Sequence, residues 1–486
     1  MKLGLTFLTK SGSGQCVPYG LMSIATYLEQ KMDAIDVQII DTNFENVYET
    51  IKHGKFDLIG IGSMTIDYQK TIDLAKRIKN DFNMPILVGG HHISSLPSSF
   101  KDCFDIGISG EGETTMLELV QLFEKKMRFN DKELEGIKGL IIPKKNDGVF
   151  LTERRKPIRP LDEIPIPNRK FINKGYFKRR QLDVWGEFGI ESSIITSRGC
   201  PYKCIFCSTT RFWSELRFHS PKHAVEEVYQ LVENHGVTHI QVWDDLFTIH
   251  KKRLREIAKL LREEGLTEKV KFNAQPRANL IDDELCQILK SMNVEIVLFG
   301  FESGSERTLK YLKGESISVD DNKNAIKLCQ KHGIKAQGSL IFGSPGETLE
   351  DMEKTLDFID FAKKNNVNHL WSFVMTPFPA TPIWDIAQKR GKVDDNMDWD
   401  LLSHQNIDKP LLLDDDISVE EFKKVFLKGR AQMRYFKWKK ILSFIRNSPL
   451  ETLGIFLLHP IENLKKLFLK HSSDVESNEN PSTTSI

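Results

Sequence analysis

Long uncharged apolar runs are what this 486-residue chain most clearly lacks. None approaches the roughly 18 residues that cross a bilayer. The opening MKLGLTFLTKSG is a short apolar run without the layout of a secretory signal. Charge bias is missing too: 68 Lys and Arg face 67 Asp and Glu, a formal net charge of +1. That balance exerts no global pull toward nucleic acid or a membrane surface, so no nucleic-acid partner is expected. Cysteine is scarce, seven in all, and three of the seven crowd into residues 200–207. An odd count, a cluster and no export signal suit reduced thiols in a cytoplasmic protein rather than a disulfide framework. Hydrophobic residues, in contrast, make up 40% of the chain, enough for a sizeable core. The length implies two or three domains.

KLGLTFL, DVQIID, DLIGIGSM, PILVGG and DIGISG read as strands, and the segments between them carry apolar residues at helical spacing. Alternation of helices with fully apolar strands predicts a doubly wound α/β domain over residues 1–134. Residues 135–188 read as a linker. GLIIPKKNDGVFLTE predicts a hairpin around Asn146, Asp147 and Gly148, and RKPIRPLDEIPIPNRKFI is rich in proline and charge. Over 189–400 the alternation returns, with SSIITS, HIQVWDD, KFNAQP, EIVLFGFES, KAQGSLIFGSP and HLWSFVMTP as strands. A closed eight-unit barrel takes about 250 residues, so six units predict a partial (β/α)6 barrel of TIM type, with its chemistry at the C-terminal strand ends. Residues 401–471 read as a basic helical extension; within 422–471, twelve Lys and Arg outnumber two Glu. Residues 472–486 are polar and aperiodic, and are predicted to be disordered.

SRGCPYKCIFCSTT, residues 197–210, sets Cys200, Cys204 and Cys207 as C-x3-C-x2-C just after the first barrel strand. Structural zinc wants four closed ligands, and a four-iron cluster normally takes four cysteines. Three cysteines leave one iron open to a substrate or cofactor. A zinc loop completed by a distant residue such as His219 is the alternative. The motif, with the aromatic Phe206 before its last cysteine, resembles the signature of the radical S-adenosylmethionine (SAM) superfamily. The resemblance implies a [4Fe-4S] cluster whose open iron chelates SAM, and whose electron cleaves SAM to a 5′-deoxyadenosyl radical. It also implies SAM contacts at the later strand ends. These are Glu302 and Ser303 in GFESGSE, Gly343 in GSLIFGSPGET, Arg277 in QPRANL and Asp244 in VWDDLFT. An Arg at that place suits the SAM carboxylate. The plainer alternatives are glycines that only turn the chain, an Arg277–Asp245 pair, and Asp244 as a helix cap.

PYGLMSIATYLE, DLIGIGSMT, PILVGGHHIS and ISGEGETT resemble the cobalamin-binding domain that precedes many radical SAM enzymes. A doubly wound sheet binds its ligand at the C-terminal strand edge. The resemblance implies a cobalamin site there, formed by Ser63 and Thr65, Gly89 and Gly90, and Gly110 and Glu111. Small residues let a flat corrin approach the backbone. The Asp-x-His-x-x-Gly of methionine-synthase-type domains is missing: TKSGSGQCVPYG holds no His. Cobalamin bound here would have no lower His ligand. Cys16 reads as a small loop residue, His91 and His92 as strand-end caps or solvated groups, and Cys286 and Cys329 as inert core residues.

The whole resemblance implies cobalamin-dependent methylation of an unreactive carbon or phosphorus centre, fed by a low-potential ferredoxin or flavodoxin. Relatives perform cyclisation or rearrangement without methyl transfer. A methylthiotransferase would carry three more cluster cysteines in its N-terminal domain, and only Cys16 and Cys103 lie there. A corrinoid- or metal-binding protein without catalysis is the non-enzyme alternative. The blend of Phe, Trp, Leu and Ile with Lys and Arg over 422–471 allows two roles. One is packing on the barrel; the other is peripheral contact with a membrane that holds a lipid or isoprenoid substrate.

Overall fold

The computed structural model describes residues 1–8, 17–82, 84–144, 148–182, 184–447 and 449. β1 (Lys2–Phe7), β2 (Asp36–Asp41), β3 (Leu58–Gly62), β4 (Ile86–Gly89) and β5 (Ile106–Ile108) pair in parallel, in the order β2-β1-β3-β4-β5. Successive side chains on a strand point to opposite faces, so continuous apolar runs feed two cores. Ile59, Ile61 and Val88 pack with Tyr68 and Ile72 on one face; Leu58 and Leu87 pack with Met22 and Leu119 on the other. The strand order reverses between β1 and β3, which opens a crevice beyond their C-terminal ends.

β6 (Leu140–Pro143) and β7 (Val149–Leu151) extend the same sheet, antiparallel to β5 and to each other. The hairpin expected inside the 135–188 linker is therefore the edge of the first sheet. Leu140, Ile141 and Ile142 are buried, and their burial ties the hairpin to the domain. Residues 146 and 147 of its turn lie outside the described residues.

β8 (Arg180–Leu182) and β9 (Glu187–Gly189) form a small antiparallel pair. β10 (Glu191–Ile194) opens the second large sheet. β11 (Ser197–Arg198) and β12 (Arg217–Phe218) then pair antiparallel around the cysteine loop. The large sheet continues with β13 (His239–Val242), β14 (Lys271–Ala274), β15 (Val294–Glu302), β16 (Lys335–Phe342) and β17 (His369–Val374). All six of its strands are parallel and in chain order, and among the described residues β10 and β17 do not pair. This is the open six-unit barrel.

The helix Val419–Asn447 packs along the β17 edge. Its Phe422, Phe426, Met433 and Phe436 are buried in the barrel core, and its Phe444 meets Phe188 of β9 edge-on, with ring centroids 5.7 Å apart. The described part of the basic extension thus takes the packing role, with Lys424 and Lys428 left exposed. The rest of that segment, 451–471, and the tail 472–486 lie outside the described residues. No described helix is long and apolar enough to cross a membrane.

Candidate active site

The cysteine loop hangs between fixed points. Gly199 adopts φ +95°, and a Cβ there would meet the Glu215 carbonyl oxygen at 2.5 Å, so only glycine fits. The Gly199 amide donates to Asp245 Oδ2 at 2.9 Å, and Thr209 Oγ1 donates to Asp245 Oδ1 at 3.1 Å. One carboxylate thus clamps both ends of the loop. Its middle is held by Ile205, whose amide donates to Leu312 and whose carbonyl accepts from Ile383. Phe206 lies half-buried in an apolar cluster that includes Leu312 and Trp384.

Cys200, Cys204 and Cys207 line one cavity of about 430 Å³ with Arg211 and Trp213. Burial pushes the Cys200 thiol up to about 11 and raises Cys207, with the neighbouring cysteines adding to both. Such thiols ionise on binding metal, which displaces their protons. Among the described residues, the group of three donor atoms that converges within 4.8 Å is Asp162, His219 and His223. The three sulfurs are spread more widely. One tetrahedral zinc with bonds of about 2.3 Å would hold them about 3.8 Å apart. The spread trio fits a larger polynuclear group, and His219 turns to Asp162 rather than completing a zinc loop.

Arg277 lies against this loop. Its guanidinium stacks over Tyr202 at 3.9 Å, and Nη1 reaches Cys204 Sγ at 3.4 Å. Nη2 donates to the Lys313 carbonyl at 3.1 Å and Nε to Asn279 Oδ1 at 3.0 Å, so its partners do not include Asp245. Glu302 ends β15 at a bulge with φ +60°, an uncommon conformation for a residue with a side chain. Burial raises its pKa, against the pull of Lys313, whose Nζ stands 3.6 Å from Oε1.

Three residues expected to meet SAM are engaged elsewhere. Asp244 accepts from the Thr196 amide and hydroxyl at 2.5 and 2.6 Å, and from the Ser197 amide and hydroxyl at 3.1 and 2.7 Å. Both its oxygens hold the chain leading into the cysteine loop. Ser303 is buried against Thr355 Oγ1 at 3.1 Å. Gly343 turns the chain at φ +79° and donates its amide to Glu347, and Phe422 fills the space where its side chain would go.

At the other edge, Ser63 donates its amide and hydroxyl to the Gly89 carbonyl at 2.7 and 2.8 Å. Gly90 has φ +98°, and a Cβ on it would lie 2.8 Å from the Ser63 oxygen. A Cβ on Gly110 would meet nothing within 4 Å, and Met64 is 52% exposed. Small residues at the C-terminal ends of β3, β4 and β5, open space beside Gly110 and an uncovered apolar side chain fit a flat apolar-faced group such as a corrin. The residues preceding this crevice, 9–16 with Cys16, lie outside the described set.

Thr65 and Glu111 do not face that space freely. Thr65 Oγ1 pairs with His92 Nδ1 at 3.2 Å, and His92 Nε2 with Ser99 Oγ at 3.0 Å. His92 is a core residue rather than a cap, its ring tilted against that of Tyr68 with centroids 3.8 Å apart, and burial lowers its pKa to about 3. Glu111 pairs with Arg198 at 3.2 Å and with Arg217. Arg198 also pairs with Glu113 at 2.5 Å. Burial would raise the Glu113 pKa, yet Arg198 and Ser23 hold it below the usual value.

These ion pairs join the first domain to β11 and β12, which frame the cysteine loop. His91, at the end of β4, stacks on Phe212 just beyond Cys207, with centroids 4.3 Å apart. The ligand edge of one domain therefore faces the cysteine loop of the other. Arg198, Glu113, Lys313 and Phe212 escaped the sequence reading. For Arg198 the available signal was a charge between a strand and the cysteine motif.

Comparison with known proteins agrees with this two-edged arrangement. Residues 194–359 match the family model of the radical SAM superfamily, and residues 5–120 match that of the B12 binding domain. An uncharacterized methyltransferase of Pyrococcus horikoshii is 34% identical over 378 residues, covering 76% of this chain and 78% of that protein. The anaerobic magnesium-protoporphyrin IX monomethyl ester cyclase of Rubrivivax gelatinosus is 27% identical over 367 residues, covering 74% and 62%. The radical SAM methyltransferase TsrM of Kitasatospora setae, solved with cobalamin and a [4Fe-4S] cluster bound, shares the fold. Its TM-score is 0.65 at 19% identity, over 81% of this chain and 75% of that one. The chain belongs to the radical SAM superfamily, as an enzyme whose cofactors are a [4Fe-4S] cluster, SAM and cobalamin.

Proposed function

We propose that this enzyme is a cobalamin-dependent methyltransferase acting on an unreactive carbon centre. The observation that carries the reading is the His91–Phe212 stack, which sets the corrin-suited edge directly against the cysteine loop. Methylation needs both groups beside one substrate. The cluster supplies the electron that cleaves SAM, and the corrinoid carries the methyl group.

Within this reading Cys200, Cys204 and Cys207 ligate the cluster, with Arg277 beside them at the SAM carboxylate and Glu302 at its amino group. A carboxylate suits the ammonium and a guanidinium suits the carboxylate. Ser63, Gly89, Gly90 and Gly110 border the corrin. A low-potential ferredoxin or flavodoxin supplies electrons. Leu442 and Ile445, exposed near the end of the last described helix, are the points for peripheral membrane contact. In that case the enzyme binds anionic vesicles at low salt, and Leu442→Asp together with Ile445→Asp, which leaves the buried Met433 and Phe436 in place, abolishes the binding.

Anaerobic turnover tests the reaction. With cluster, cobalamin, SAM, reductant and substrate, methylation releases both S-adenosylhomocysteine and 5′-deoxyadenosine. The cyclase relative favours a second reading, ring closure, which releases 5′-deoxyadenosine without S-adenosylhomocysteine. That outcome would replace the methyltransferase reading. Failure to take up cobalamin would leave a radical SAM enzyme alone.

A further inference from the structure

The strands of the open barrel turn one face to the helices around it and the other to its lumen. Val242, Phe272, Ala274, Phe299, Leu370 and Val374 are buried in the core shared with those helices. Their strand neighbours Trp243, Asn273, Leu298, Trp371 and Phe373 therefore point inward. The floor of the lumen is closed. Trp185, after β8, packs on Ile296 and meets His239 edge-on at 4.7 Å, and Gln337 Nε2 donates to the Val184 carbonyl at 2.8 Å. Above the floor the lumen is not filled: Trp243, Leu298, Trp371 and Phe373 all keep part of their surface exposed. A closed barrel would pack such side chains into layers. Trp243 Nε1 donates to Gln241 Oε1 at 3.1 Å, which leaves its ring faces open. Asn273 differs from these. It is 5% exposed, yet among the described residues its side-chain amide has no hydrogen-bond partner, and its polar atoms are not sealed from the lumen.

We propose that the substrate bound in this lumen is a neutral, planar ring compound with a lactam-like edge that pairs with Asn273; the inference rests on the methyltransferase reading above. Apolar and aromatic surface left facing water favours an occupant that covers it. Three aromatic rings in that surface favour flat partners, which they meet offset or edge-on. A side-chain amide offers one donor group and one acceptor, and a lactam edge is its complement. A ligand with that edge gives Asn273 the partners it lacks, whereas one without it leaves a buried amide unpaired. Pockets of this kind hold their ligand by apolar walls and orient it by one or two polar groups. Charge points the same way. Lys271 pairs with Glu187 at the floor, and Lys313 stands beside Glu302 at the mouth. An anionic substrate would lose its water between them without gaining a free cation. Asn273 is thus a specificity-determining residue, and Trp371 a wall of the same pocket.

Anaerobic titration calorimetry of the full chain, reconstituted with cluster and cobalamin, tests the class without turnover. The probes are 2-quinolone, a flat lactam; N-methyl-2-quinolone, which lacks the N–H donor; and methylphosphonate, a small anion. The wild type is expected to bind 2-quinolone at least about fivefold more tightly than its N-methyl form, the factor one lost hydrogen bond allows. Methylphosphonate should give no binding heat. In Asn273→Leu the preference between the two quinolones disappears, the signature of a direct pair between Asn273 and the lactam edge. Trp371→Ala weakens both quinolones. Asn273→Leu puts an apolar side chain of similar volume in place of an unpaired amide, so its fold survives and its result stands if Trp371→Ala misfolds. The proposal is overturned if 2-quinolone does not bind, if its preference over the N-methyl form persists in Asn273→Leu, or if methylphosphonate binds more tightly. Because no turnover is needed, absence of methylated product with these affinities intact counts against the methyltransferase reading alone. S-adenosylhomocysteine release with an open-chain anionic substrate counts against the ring class alone.

Discussion

Replacing Gly90 by Ala asks an L side chain to accept φ +98° and drives a Cβ to 2.8 Å from the Ser63 oxygen. With ψ −171°, Gly90 lies in a region of backbone space that essentially only glycine enters, which costs a side-chain-bearing residue about 1–3 kcal/mol. The clash adds to it by pushing Ser63 out of the crevice edge. The expected outcome is weakened cobalamin uptake with unchanged iron loading, checked by the absorption spectrum and metal content of the reconstituted protein. Cys204→Ala is the complement: iron falls to background and 5′-deoxyadenosine formation stops, while cobalamin uptake remains. His92 sets a pH dependence of its own. Its folded pKa of about 3 lies below the ordinary 6.5, so the fold holds the neutral ring. A depressed histidine contributes stability that is complete above pH 6.5 and is lost as pH falls toward 3. The loss is about 1.4 kcal/mol per pH unit. Melting curves between pH 7 and 5 should therefore fall less steeply for His92→Gln than for the wild type.

Among the elements, the helix Val419–Asn447 separates its two faces sharply. Phe426 is fully buried, and Leu442 is 64% exposed. Phe426→Ala should cost about 3–5 kcal/mol through the cavity it leaves against the barrel. Leu442→Ala should stay within about 0.5 kcal/mol, as exposed substitutions do. Thermal unfolding of the two variants checks both figures. The strands of the first domain stood out in the sequence because a parallel strand covered on both faces is apolar throughout, as in LIGIG and ILVG. The cysteine triad stood out because its ligands lie within one loop. What the sequence does not show involves partners distant along the chain. Glu111 looks like the first turn of a glycine-rich ligand loop until Arg198 and Arg217 reach it from 87 and 106 residues away. Asp244 looks free at a strand end until Thr196, 48 residues back, claims it. The hairpin Leu140–Leu151 reads as a linker because neither its turn nor its strands state which edge they join.

At the scale of the whole molecule, a reaction shared between two cofactors depends on how rigidly the two domains face each other. Apolar packing supplies part of that rigidity: Trp399, beyond the barrel, meets Tyr68 and His92 of the first domain at 5.8 and 4.6 Å between centroids. The remainder is ionic and buried. Arg198 has 9% of its side chain exposed and bridges Glu113 at 2.5 Å and Glu111 at 3.2 Å, while Arg169 of the connecting segment pairs with Glu227 at 2.7 Å. Buried pairs of this kind add little net stability but are costly to break from one side, because a charge is left without its partner. Glu113→Ala should therefore destabilise the joined domains by about 3 kcal/mol, the lower part of the range for such losses, since Glu111 still faces Arg198. The loss falls on the contact between domains rather than on either core. Calorimetry should accordingly resolve two transitions where the wild type shows one. Iron loading should be unchanged, because the clamps on the cysteine loop, Asp244 and Asp245, remain. A single transition at lower temperature would instead mean that Glu113 supports its own domain and that the ion pairs do not set the facing of the two edges.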